Sequence, residues 1–247
     1  MMSIRTIIGP LVPGPIKAWR KQRLAMQDLR ASVEPLHPRS CPVCGYHGFF
    51  THFGRPPRLD ARCPSCNSLE RHRLFWLWFG GDKSKLEGPL LHFAPEPLLE
   101  KKFRQIYQDY STASLYGAAD LKLDIEAINL PTDSLNTVIC NHVLEHVSDS
   151  RALKELHRIL SARGRLIVSV PIIEGWEQTY EDARITGAAE RELHFGQSDH
   201  VRFYGRDLRD RLRNAGFNRI LEVTAEGKHV VDHGLLRGEK IFVCSKT

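Results

Sequence analysis

Hydrophobic positions follow two regimes along this chain. From Gly88 onward, short apolar runs alternate with stretches in which apolar residues recur every third or fourth position. This is the pattern of a parallel sheet whose strands are joined by crossover helices. Strands are expected at Pro89–Phe93, Tyr110–Leu115, Leu121–Asp124, Asn136–Cys140 and Arg165–Val170, with a last pair at Ile220–Thr224 and Lys240–Cys244. Helices are expected at Pro97–Tyr107, Ser150–Leu160 and Gly205–Ala215; the second carries one apolar stripe, Leu153, Leu156, Ile159 and Leu160. The fold class is therefore α/β, a doubly wound, mostly parallel sheet of seven strands.

Ahead of Gly88 the pattern changes. Arg39 to Leu69 is poor in aliphatic residues and cannot build a core of its own, whereas Arg71–Phe79, RHRLFWLWF, is an aromatic helix stopped by Gly80 and Gly81. The start is punctuated by Pro10, Pro13 and Pro15 and continues in a basic stretch, Lys17 to Arg30. Such a stretch is a solvated helix face, or it touches a partner or a membrane surface peripherally within residues 1–30. The expected division is a basic segment over 1–37, a cysteine module over 38–70, a connecting helix over 71–87 and the main domain over 88–247.

The cysteines decide what holds the second segment together. Cys41, Cys44, Cys63 and Cys66 form two CxxC pairs with 18 residues between them, the spacing of a zinc ribbon. A zinc ion held by four thiolates would supply the folding free energy that the missing core cannot. Its closed coordination sphere makes it structural. Cys140 and Cys244 fall in expected strands and read as small buried apolar residues.

Composition alters this picture little. The chain has 35 Lys and Arg against 29 Asp and Glu, a formal charge of +6, with the charges scattered. No apolar stretch approaches the roughly 18 residues that a membrane span needs, and no cleavage site follows the apolar start. The expected location is cytoplasmic.

In an open parallel sheet, ligands sit beyond the carboxyl ends of the strands, and here those ends are polar: HFAPEP from His92 to Pro97, then Ser114, Asp124 with Ile125, and Asn141 with His142. The run DIEAINLPTDSLNTVICNHVLEHVSDSRALKELHRILSARGRLIVSVP, followed by AGF before two strands, resembles class I methyltransferases. The resemblance covers residues 88 to 245 and implies the Rossmann-like methyltransferase fold and S-adenosylmethionine as cofactor. It places Asp124 at the adenine amine and Ile125 over the ring. His92, Phe93, Ala94, Pro95, Glu96, Ser114 and Asn141 complete the cofactor-binding set, and His142, His146 and His200 are the catalytic candidates, histidine being able to take a proton near neutral pH. His146 could instead tie its helix to the sheet. Where the family has an acidic residue and glycines after the first strand, this chain has His92, Ala94 and Glu96. The methyltransferase reading therefore requires a cleft that His92 and Glu96 do not fill.

The polar segment Glu190–Gly205 is expected to form a lid or substrate wall. The leading function is methyl transfer to a small molecule, glycan or lipid headgroup, with Arg202, Arg151 and Arg163 as candidates to orient an anionic acceptor. Two alternatives stand beside it. One is an RNA methyltransferase whose ribbon grips phosphates through Arg39, Arg55, Arg58, Arg62, Arg71 and Arg73; the other is a non-catalytic adaptor.

Overall fold

The computed structural model describes residues 14–33, 37–54, 57–80, 82 and 85–246; the proline-rich start and Arg55 lie outside them. A seven-stranded sheet organises the chain, in the order β7-β6-β5-β8-β9-β13-β12. Its strands are β5 (Leu90–Phe93), β6 (Tyr110–Ser114), β7 (Leu121–Lys122), β8 (Leu135–Asn141), β9 (Leu160–Ser169), β12 (Arg219–Thr224) and β13 (Lys240–Ser245). β5 to β9 pair in parallel, while β13 runs antiparallel to β9 and to β12.

Alternation along each strand divides the core into two layers. Val138, Cys140, Leu166, Val168 and Phe242 face α4 (Asp149–Ile159) and α6 (Leu208–Asn214), meeting Leu153, Leu156, Leu208 and Leu212. Ile139, Ile167 and Ile241 point the other way, toward α2 (Glu70–Phe79), α3 (Pro97–Ile106) and α7 (Gly227–His233), where Phe75, Phe79, Phe103 and Val230 wait. The helix expected as a connector is thus part of the second layer, because its aromatic face covers the sheet. Cys140 and Cys244 are fully buried, as apolar residues would be.

Ahead of the sheet lie α1 (Gly14–Val33), whose Trp19, Leu24 and Met26 are exposed, and two small hairpins, β1–β2 (Arg39–Ser40, His47–Gly48) and β3–β4 (Thr51–Phe53, Arg58–Arg62). The hairpins and α7 meet at Arg73. This fully buried guanidinium donates to the carbonyls of Ser68 and Ala61 on one side and of His233 and Gly234 on the other, 2.5 to 3.1 Å away. His233 Nδ1 adds a contact to the Ser40 carbonyl at 2.7 Å.

Three boundaries differ from expectation. The third strand is only two residues long, the helix expected to Leu160 gives way there to β9, and the last expected helix begins at Leu208. The segment expected as a polar loop contains α5 (Ala188–Phe195) and β11 (Arg202–Phe203), the latter pairing with β10 (Tyr180–Glu181).

Candidate functional site

The four cysteine sulfurs lie within 4.8 Å of one another. Cys41 and Cys66 stand 3.6 Å apart and Cys44 and Cys63 3.8 Å apart, close to the edge of about 3.8 Å that a tetrahedron with Zn–S bonds near 2.3 Å requires. Two matching turns build the group. Gly45 N donates to Cys41 O and Asn67 N to Cys63 O, both at 2.9 Å, and Gly45 and Asn67 share a left-handed backbone. Glycine and asparagine are residues that accept that conformation readily. This group could hold a zinc ion, with all four ligands coming from the protein.

The order of the sheet reverses between β5 and β8, so the crevice beyond their carboxyl ends is the expected ligand position. A cavity of about 530 Å³ lies there, within the range of small-molecule sites. Phe93, Ala94, Ser114, Asp124, Ile125, His142 and His146 line it. Ala94 and His142, at the ends of β5 and β8, both have positive φ, 44° and 53°. Their amides nevertheless continue the ladder, Ala94 N to Ala113 O and His142 N to Ser169 O, each at 2.8 Å. The turn that resembles a glycine-rich loop therefore takes a left-handed step without glycine at that position. Asp124 is exposed at the rim; its Oδ1 accepts from Glu126 N at 2.9 Å, and Ile125 is buried beside it.

His92, Pro95, Glu96 and Asn141 are not among the residues lining this cavity, and His92 and Glu96 meet each other instead. His92 is fully buried in the second layer, with Nδ1 2.9 Å from the Tyr110 hydroxyl and Nε2 3.2 Å from Glu96. Glu96 turns the same way, with His72 at 3.7 Å. Burial alone would raise the Glu96 carboxyl, but His92 and His72 beside it hold it at about 2, while burial lowers His72 to about 4. Alternation makes His92 face the helices, so the side chains whose presence in the cleft would exclude a nucleoside point away from it. Asn141 is buried and accepts from the Ser169 hydroxyl at 3.0 Å.

His142 also borders a second cavity, of about 450 Å³, lined by Arg58, Arg71, Arg237, Glu239 and Lys240 among others. Arg58 binds Glu70 at 2.8 Å, and Lys240 lies 3.1 Å from Glu222. Arg71 Nε is buried with no hydrogen-bond partner among the described residues, and burial pushes the Glu239 carboxyl up to about 7. His142 Nδ1 stands 3.2 Å from Glu145 Oε1, and its Nε2 is buried without a partner among the described residues. His146 belongs to a short 3-10 turn, Leu144–His146, and reaches Asp199. His200 is buried against it, the two rings 4.7 Å apart.

Several other expected roles move. Arg202 is buried and donates to the carbonyls of Leu144 and Val147; Arg151 is exposed on α4, near Glu126; Arg163 lines a groove with Lys85 and Arg219 at another part of the sheet. None of these three arginines lines either cavity at His142. Tyr116, Arg191, Arg237 and Glu239 went unnoticed in the sequence. Tyr116 could have been found from its place just past a strand end; the others carry no local signal.

Part of the sheet domain is similar to known proteins. Residues 99–168 match the family described as "Methyltransferase domain". An uncharacterised protein of Methanocaldococcus jannaschii is 38% identical over 76 residues, covering 29% of this chain and 34% of that protein. The chain thus spans about a third of that relative's length. Among solved structures, a possible histamine N-methyltransferase of Thermotoga maritima is 19% identical, with 65% of this chain and 83% of that chain covered and a TM-score of 0.41. An S-adenosylmethionine-dependent methyltransferase of Archaeoglobus fulgidus is 10% identical, with coverage of 70% and 93% and a TM-score of 0.47. Within the domain built on the seven-stranded sheet, the stretch from α3 to β9 thus matches a methyltransferase-domain family, and a four-cysteine module stands ahead of it.

Proposed function

We propose that the protein transfers a methyl group from S-adenosylmethionine to an oxygen of a small acceptor bearing an anionic group. The observation that carries this reading is His142, standing between a nucleoside-sized cavity and a basic one. S-adenosylmethionine supplies an electrophilic methyl group when bound. Asp124, with one carboxylate oxygen held by Glu126 N, offers the other to the adenine amine. Ile125 covers the ring, Ser114 lies toward the ribose, and the left-handed step at Ala94 lets the backbone approach the methionine part. Arg71 and Arg237 receive the acceptor's phosphate or carboxylate, as an anionic glycan or lipid headgroup would provide.

Glu145 accepts the Nδ1–H of His142, which leaves Nε2 with the lone pair that takes the acceptor's proton. As that proton moves to Nε2, the acceptor oxygen bonds to the methyl carbon and the carbon–sulfur bond breaks, leaving a neutral thioether. Alignment across the two cavities provides most of the acceleration. RNA binding by the cysteine module is disfavoured, because Arg39 pairs with Asp60 and Arg73 is buried.

Calorimetry with S-adenosylmethionine tests the first half. Asp124→Ala should weaken binding about tenfold, or ~1.4 kcal/mol, without unfolding the domain; wild-type protein giving no heat at millimolar cofactor would overturn the assignment. His142→Asn keeps a side chain that tolerates positive φ. It should leave cofactor affinity intact and slow methyl transfer by roughly 10² to 10⁴.

A further inference from the structure

We infer that Glu145, His146 and His200 form a binding site for a first-row divalent metal ion, distinct from the cysteine group and opening on the cavity at His142. One carboxylate oxygen of Glu145 and one ring nitrogen of each histidine lie within 4.8 Å of one another. Two histidines and a carboxylate on one side of an ion, with positions left open, are a donor set for iron, manganese, cobalt or zinc.

Each donor is prepared for the role. The Nδ1 of His200 faces the Phe195 carbonyl at 3.2 Å, and that of His146 faces the Asp199 carbonyl and carboxylate, each at 3.3 Å. An oxygen without a proton can only accept, so Nδ1 carries the hydrogen in both rings, and the lone pair is on Nε2. Histidine ligands are commonly held this way, by the other nitrogen on a carbonyl or carboxylate. Glu145 is 1% exposed; Oε1 faces His142, and Oε2 is buried with no hydrogen-bond partner among the described residues. A buried carboxylate oxygen with no partner among the described residues is unfavourable as it stands, and a cation held with the two imidazoles would satisfy it.

The backbone is fixed to match. Val201 N donates to Glu145 O at 2.9 Å, and Arg202 and the Tyr204 hydroxyl donate to Leu144 O at 2.7 and 3.1 Å. These bonds lock the turn bearing Glu145 and His146 to the strand that follows His200. An ion with bonds near 2.1 Å would draw the three side chains together by rotation, and His146, which also lines the cavity at His142, would connect it to that space. Acceptor oxygens would complete the coordination there. This role rests on the methyl-transfer reading; metal binding itself does not.

The test is titration of the zinc-replete protein with Mn²⁺, followed by paramagnetic resonance, and with Co²⁺, followed by visible absorption, which separates nitrogen–oxygen from sulfur ligation. One ion per chain beyond the cysteine-bound metal is expected. Glu145→Gln and His200→Ala should each weaken it about 10- to 100-fold, as should His146→Gln, at a partly exposed position where loss of folding is less of a concern. Cofactor affinity is measured alongside. Binding of Mn²⁺ without cofactor binding would leave the metal site standing and remove the methyl-transfer role. No second ion, or an ion unaffected by all three variants, would overturn the site.

Discussion

Ala94 and His142 hold left-handed backbone conformations that L-residues adopt at a penalty of roughly 1 to 2 kcal/mol. Both stand where β5 and β8 deliver the chain to the cavity proposed for the cofactor, and strain concentrated at a site points toward function. Ala94→Gly removes the penalty and returns part of it as chain entropy. The variant should be more stable by about 1 kcal/mol in urea unfolding; equal or lower stability would show that Ala94 is not strained. Glu239 gives a second residue-scale expectation. Burial raises its folded-state pKa to about 7, above the unfolded value near 4.3. The folded state therefore holds the proton more tightly, and the associated stability is present in full below about pH 4 and is lost as pH rises through 7. Glu239→Gln should be more stable than wild type at pH 8, by about 3 to 4 kcal/mol, and should show no advantage at pH 4. Identical pH profiles would contradict this environment. At this scale the sequence placed Asp124, Ile125, Ser114 and His142 on the cavity wall, because strand ends are legible from periodicity. His92 lies off that wall because the side of the sheet to which a strand residue points depends on one residue of register.

The Leu144–His146 turn shows how an element acquires its geometry from elsewhere. Its own sequence, LEH, suits a helix, yet the chain makes only one tight turn before α4 begins. Arg202 holds it open, donating to Leu144 O and Val147 O while its Nε binds Glu181. Arg202→Met keeps the bulk and leaves two carbonyls without that donor; a loss of about 3 kcal/mol is expected from thermal unfolding. An unchanged melting temperature would show that the turn is self-supporting. The long periodic elements, α4 and the strands β5, β8, β9 and β13, were readable because each buries a full apolar face. α5, α7 and the paired β10 and β11 were not. They are short, and what fixes them is distant: the Tyr180–Phe203 pairing for the strands, the Arg73 contact for α7.

For the molecule as a whole, the consequence lies in where the two cavities draw their walls. The cavity proposed for the cofactor is built from the sheet domain and the segment before β11, with no described residue ahead of Phe93 lining it. The basic cavity takes Arg58 from β4 and Arg71 from the start of α2. The Arg58 position depends on the cysteine module, since its strand β4 pairs with β3 and runs directly into Cys63. A closed four-sulfur site would thus serve the acceptor without touching it. Cys63→Ser, or removal of the metal by chelation, should loosen the module while α2 stays anchored through Phe75 and Phe79 in the sheet's second layer. Affinity for S-adenosylmethionine should stay within about threefold, less than 1 kcal/mol, while the KM for an anionic acceptor rises by about tenfold or more. Arg58→Ala should reproduce the acceptor effect with the metal still in place. Equal loss of cofactor and acceptor binding would mean that the module supports the whole domain, and Arg73, which joins the two through four carbonyls, would be the route by which it does so.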